Sequence, residues 1–254
     1  MAPRTPRLPE PAIAEGVTGR ELDRSVHAQL RTLSKENAEG VAQHLVMVAL
    51  LLDAGDLDGA LAHAETAVRR AGRVPAAREA LGMVAYRRGE FARALTEFRT
   101  VRRLSGSAHL LPLMVDCERG MGRHTRALEL ATSSDARELT EDARVELAIV
   151  LSGVRRDLGQ DDMALVSLQI PQLKRRSAAY HRLHYAYADA LLALGRTEEA
   201  RDWFAVAAAG DQDQDTDAVE RLEELDGIVV VDLGTDDDEG DQGRDGAEPE
   251  EPLS

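Results

Sequence analysis

The sequence predicts an all-α fold: a right-handed solenoid of about five helical hairpins, with capping helices and a disordered acidic C-terminal tail. Three observations carry that expectation. Apolar residues make up 43% of the 254 residues, yet aromatics make up only 3%, so Ala and Leu supply most of the core. That composition suits helices packed through small side chains, whereas a sheet core draws on Val, Ile, Tyr and Phe. Between Pro11 and Gly227 only Pro75, Pro112 and Pro171 interrupt the chain, which leaves long stretches free to be helical. A five-fold echo recurs along the chain: a Gly, four residues, an Ala, and usually a Leu.

The echo runs Gly55–Ala60–Leu61, Gly89–Ala94–Leu95, Gly122–Ala127–Leu128, Gly159–Ala164–Leu165 and Gly195–Ala200, with Arg201 in the last leucine slot. The glycines are 34, 33, 37 and 36 residues apart. A near-constant period in this range marks a helical solenoid. Gly ends the first helix of each pair, where a left-handed backbone is needed. Ala marks where the second helix crosses the first, so that the axes approach to roughly 8–10 Å.

One unit shows the whole pattern. In LGMVAYRRGEFARALTEF, Leu81 and Gly82 mark the contact on the first helix, Gly89 the turn, and Phe91, Ala94 and Phe98 the second helix. This stretch resembles a tetratricopeptide repeat. The fifth unit fits through Gly195, Ala200, Phe204 and Ala207, and the first through Gly55, Leu57, Ala60, Ala64 and Ala67. The third and fourth units are degenerate, with short second helices near residues 123–131 and 160–170; Pro171 stops the latter. The resemblance covers residues 41–212 and implies a scaffold of TPR-like hairpins that binds proteins.

The expected organisation is a disordered segment at 1–18, a capping helix at 19–35, the solenoid at 36–212, a C-terminal capping helix at 213–227 and an acidic disordered tail at 228–254. Leu22, Val26, Leu30 and Leu33 place one apolar face on a helix over Gly19–Leu33. Thr216–Leu225 reads as the second cap, and caps are expected because an open array exposes its core at both ends. Thr140 is an N-cap candidate for a helix over Glu141–Leu158.

Formal net charge is −15, and ten acidic residues against Arg244 give residues 232–254 a net −9, leaving −6 for the rest. Neither part offers the basic stripe of a nucleic-acid binder. Arg (29) so outnumbers Lys (2) that the composition reads as that of a GC-rich bacterial genome. The stretch GIVVVDLGTDDDEG leaves three readings open: Ile228–Leu233 as an apolar segment against the last helix, the same run as a strand-adding motif similar to a SUMO-interacting motif, or Asp232, Gly234 and Thr235 as an Asp-x-Gly-Thr phosphate loop like that of actin-like ATPases. The tail reads as solubilising, or as an internal competitor for Arg119, Arg156 and Arg182.

Catalytic patterns are missing. The sequence has no Walker loop, dinucleotide fingerprint or His-Glu-x-x-His. Cys117 is the single cysteine and reads as a packing residue. His181 and His184, at i and i+3, could share a helix face, but the sequence offers no clear carboxylate partner set for them, so no metal or cofactor is expected. No signal peptide or membrane-length apolar run is visible, and the expected location is the cytoplasm.

Function is therefore expected on the concave surface, which the resemblance assigns to the first helices. The candidate groove residues are Glu79, Met83, Tyr86 and Arg87 in the second unit; His109, Asp116 and Arg119 in the third; Ile149 and Arg156 in the fourth; and Arg182, Tyr185 and Asp189 in the fifth. Arg119 and Arg156 occupy equivalent places and could grip a carboxylate. Tyr86 and Tyr185 supply anchor area. The Lys and Asn clamp of the repeats that bind chaperone C-termini is absent, since Leu45 and Ala49 stand at the matching positions. The expected role is a non-catalytic scaffold for a protein or peptide segment. The alternatives are an accessory or regulatory subunit of an enzyme, or an enzyme with an unrecognised site.

Overall fold

The computed structural model describes residues 9–227. The first eight residues, the apolar run at 228–233 and the acidic tail all lie outside the described residues. Five antiparallel helix pairs follow one another: α2 (Lys35–Asp53) with α3 (Leu57–Ala71), α4 (Pro75–Arg87) with α5 (Phe91–Ser105), α6 (Leu111–Gly120) with α7 (His124–Ala131), α8 (Glu141–Asp157) with α9 (Asp161–Leu168), and α10 (His181–Ala193) with α11 (Thr197–Gly210). A short α1 (Arg24–Leu30) packs on α2 and α4, and α12 (Ala218–Leu225) packs on α11. No strand occurs among the described residues.

The turns are chemically uniform. Gly55, Gly89, Gly122, Gly159 and Gly195 all hold φ between 69° and 75°. The residue after each closes a six-residue ring onto the preceding helix, as in Glu90 N–H to Ala85 O (2.8 Å) and Gln160 N–H to Arg155 O (2.9 Å). This is the Schellman arrangement, and it satisfies carbonyls that the helix end leaves free.

The crossing alanines Ala60, Ala94, Ala127, Ala164 and Ala200 are fully buried. Gly82 explains the Leu-Gly pair of α4. A Cβ there would lie 2.5 Å from Cε1 of Phe98, which is itself fully buried in α5. The large ring and the missing side chain form one contact.

α7 and α9 have 8 residues each, against 14 or 15 in α3, α5 and α11. A 3-10 turn over Pro171–Lys174 follows α9. Thr140 Oγ1 accepts from Ala143 N at 3.3 Å and caps α8. At the N-terminal end, α1 is shorter than the apolar spacing suggests. Gly19 has φ 82° and lies against Ala42 of α2, which breaks the helical path before Arg24. Leu22, Val26 and Leu33 nevertheless join Leu30 in the core over α2.

Candidate functional site

Along the first helices of the pairs, polar contacts join one unit to the next. At two of the four junctions the residue three before a repeat glycine reaches the residue six before the next one. Tyr86 Oη donates to Asp116 Oδ2 at 2.5 Å, and Arg156 pairs with Asp189. Asp189 also faces Arg221 of α12 at 3.5 Å, which extends the series past the fifth unit.

Arg119 breaks the rule for a visible reason. Its opposite number in the fourth unit is Gly153, and a Cβ at Gly153 would lie 2.8 Å from the Arg119 guanidinium carbon. Arg119 therefore lies over the glycine and donates through Nε to Asp157 Oδ2 at 2.7 Å, while Nη1 keeps Asp116 at 3.3 Å. Arg182 reaches back to Glu146 at 2.9 Å, and His109 Nε2 faces Glu79 at 3.2 Å.

These contacts set the protonation states. The hydrogen bond from Arg119 holds the Asp157 carboxyl below its ordinary range, and the hydrogen bond to Glu79 raises His109. Burial and then Asp116 raise the Tyr86 phenol; burial and then Asp217 raise Tyr185. Burial, with Asp116 and Glu118 nearby, pushes the Cys117 thiol up to about 12. A thiol at that value is not a nucleophile at neutral pH.

Six of the twelve expected groove residues line one cleft of about 360 Å³: Arg119, Ile149, Arg156, Arg182, Tyr185 and Asp189. Ser152, Gly153, Ala186, Asp215 and Thr216 complete its wall. The other six lie further along the array. Met83 and Tyr86 pack on the core between α4 and α6, Glu79 and His109 pair with each other, Asp116 receives Tyr86, and Arg87 is exposed. Sequence reasoning missed Glu146, Asp157, Arg221 and the Asp215–Thr216 rim. Only the carboxylates at Asp116 and Asp189, which share a register, carried a readable signal for the cross-unit pairing.

The two close histidines part company. His184 is 1% exposed and stacks on Trp203 with 5.5 Å between centroids, whereas His181 turns toward Asp211 and Asp215. No helix among the described residues is long and apolar enough to cross a membrane.

Stacked helical hairpins with a polar register along the inner face define an α-solenoid repeat scaffold. The units at the two ends of the array match the tetratricopeptide repeat family. The family model described as tetratricopeptide repeat matches residues 45–109 and 173–215, the first two units and the last. The gap spans the two units whose second helices are short.

Two solved structures share the fold. A thermophilic TPR protein of Thermus thermophilus aligns over 73% of this chain and 98% of its own, at 22% identity and a TM-score of 0.59. The pilF protein of Pseudomonas aeruginosa aligns over 76% of this chain and 87% of its own, at 18% identity and a TM-score of 0.55. No curated protein matches the sequence.

Proposed function

We propose that this protein is a non-catalytic scaffold that takes an extended peptide or protein segment in the cleft between α6, α8 and α10. The observation that supports the reading is the cleft's composition. Ile149 and Tyr185 offer apolar area, and the guanidiniums of Arg119, Arg156 and Arg182 stand around them, each already held by a carboxylate. A purely acidic ligand would have to displace those carboxylates one by one. The preferred segment therefore carries an apolar anchor for Ile149 and Tyr185, and uses the paired arginines as fixed donors.

The test compares affinity purification with the full chain and with Ile149→Asp/Tyr185→Ala. Partners held by the cleft are recovered by the first and lost by the second, and cross-links from them map to α8 and α10. Equal recovery by both proteins refutes the cleft as the docking site.

A further inference from the structure

A second constellation lies where the segment after α11 meets the start of α10. His181 Nδ1 contacts Ala178 O at 2.9 Å. A carbonyl only accepts, so Nδ1 carries the proton and donates. In the neutral ring Nε2 is then left with a lone pair. Nε2 is buried and has no hydrogen-bond partner. It points between two carboxylates, with Asp211 Oδ1 at 3.6 Å and Asp215 Oδ2 at 3.5 Å.

Those separations are informative. A charge-assisted hydrogen bond from a protonated histidine closes to about 2.7–2.9 Å. Ligand atoms about 2.0–2.2 Å from one zinc ion in tetrahedral geometry stand roughly 3.3–3.6 Å apart. The two Nε2–oxygen separations match the second case, and all three donor atoms lie within 4.8 Å of one another.

The surroundings are those of a prepared ligand set. The Asp211 side chain is 3% exposed. Its Oδ2 accepts from Thr216 N at 2.9 Å and Thr216 Oγ1 at 2.6 Å, and its Oδ1 accepts from Asp215 N at 2.8 Å. The first two bonds orient the carboxylate, and the third draws Asp215 beside it. Gly210 permits the approach, since a Cβ there would lie 3.0 Å from the Ala178 backbone and 3.3 Å from His181 Cβ. Hydrogen bonds that fix the tautomer of a ligating histidine and the angle of its carboxylates are what a metal site requires beyond the ligands themselves.

We propose that His181 Nε2, Asp211 Oδ1 and Asp215 Oδ2 bind one divalent transition-metal ion of the zinc class, with water completing the coordination. The ion clips the segment after α11 to the start of α10. Because Asp215 and Thr216 also line the concave cleft, the ion fixes that rim.

The test uses the full chain after treatment with a chelator, with zinc chloride alone as the probe. Calorimetric titration is expected to show one saturating equivalent per chain, and the melting temperature is expected to rise with free zinc. His181→Gln and Asp215→Asn are each expected to weaken binding by at least about 10-fold. Asp215 is exposed, so its substitution leaves the helical circular dichroism unchanged and isolates loss of the site from loss of the fold. A wild-type titration without a one-equivalent step overturns the proposal. So does an unchanged isotherm in either variant, which would place the zinc on other acidic groups of the chain.

Discussion

Replacing Gly82 with Ala sets two effects of known sign against each other. Gly82 lies inside α4, where exchange of Gly for Ala stabilises a helix by about 1 kcal/mol through propensity alone. Against that, the new methyl would stand 2.5 and 2.7 Å from two ring carbons of Phe98, far inside contact distance. Phe98 is fully buried and cannot swing away. Forcing extra volume into a packed core costs about 1–3 kcal/mol. The net expectation is destabilisation by up to about 2 kcal/mol.

At about 2–4 °C per kcal/mol for a chain of this size, the melting temperature falls by up to roughly 8 °C. Gly153→Ala is the matched control. Its methyl would meet the guanidinium end of Arg119, a flexible side chain that is 36% exposed. The propensity gain then dominates, and the melting temperature holds or rises. Unfolding of a repeat array is shared between neighbours, so amide exchange in α4 and α5 should show the loss before the global melt does. Stabilisation by Gly82→Ala as large as that by Gly153→Ala would refute a clash with Phe98.

Three further outcomes follow from particular residues. Gly89→Ala places an L side chain at φ 74°, which costs about 1–2 kcal/mol, and lowers the melting temperature although the space around it is open. Burial, and then its neighbour His63, lowers His44 to about 4, and its Nδ1 lies 2.9 Å from that of His63, so only one of the two can carry a proton between them. The unfolded chain binds protons near pH 6.5 that the folded pair refuses, so stability is full above that pH and falls as pH drops toward 4; His44→Gln flattens this slope, on the order of 2 kcal/mol, in denaturant titrations across the window. Cys117 is fully buried and its thiol is raised, so a thiol-specific reagent leaves the native protein unmodified at pH 8 and titrates one group after denaturation.

The architecture was legible because its punctuation is local. A turn that needs positive φ selects Gly, and a close crossing selects Ala, within a few residues of each other, so Gly89 and Ala94 can be read without knowing anything else about the chain. The inner face is different, because its chemistry depends on an offset between units that no single unit contains. Tyr86, Arg119 and Arg156 share one register, and Asp116 and Asp189 share another, but only stacking brings the first set onto the second.

The fourth unit shows how far this goes. Gly153 has no carboxylate to offer, so Arg119 crosses it to Asp157, four positions later in the helix. Reading Arg119 and Arg156 as an open pair of cations therefore misjudges the face: each already has its anion, supplied by the next hairpin. The same cross-unit logic makes the cleft sensitive to anything that shifts one hairpin against another, because a shift breaks the pairing of Arg156 with Asp189 and exposes charge to an incoming segment. On the proposed role, a partner that brings its own carboxylate competes with Asp189 rather than filling a vacancy, so charge matching would select the partner more than it strengthens the complex.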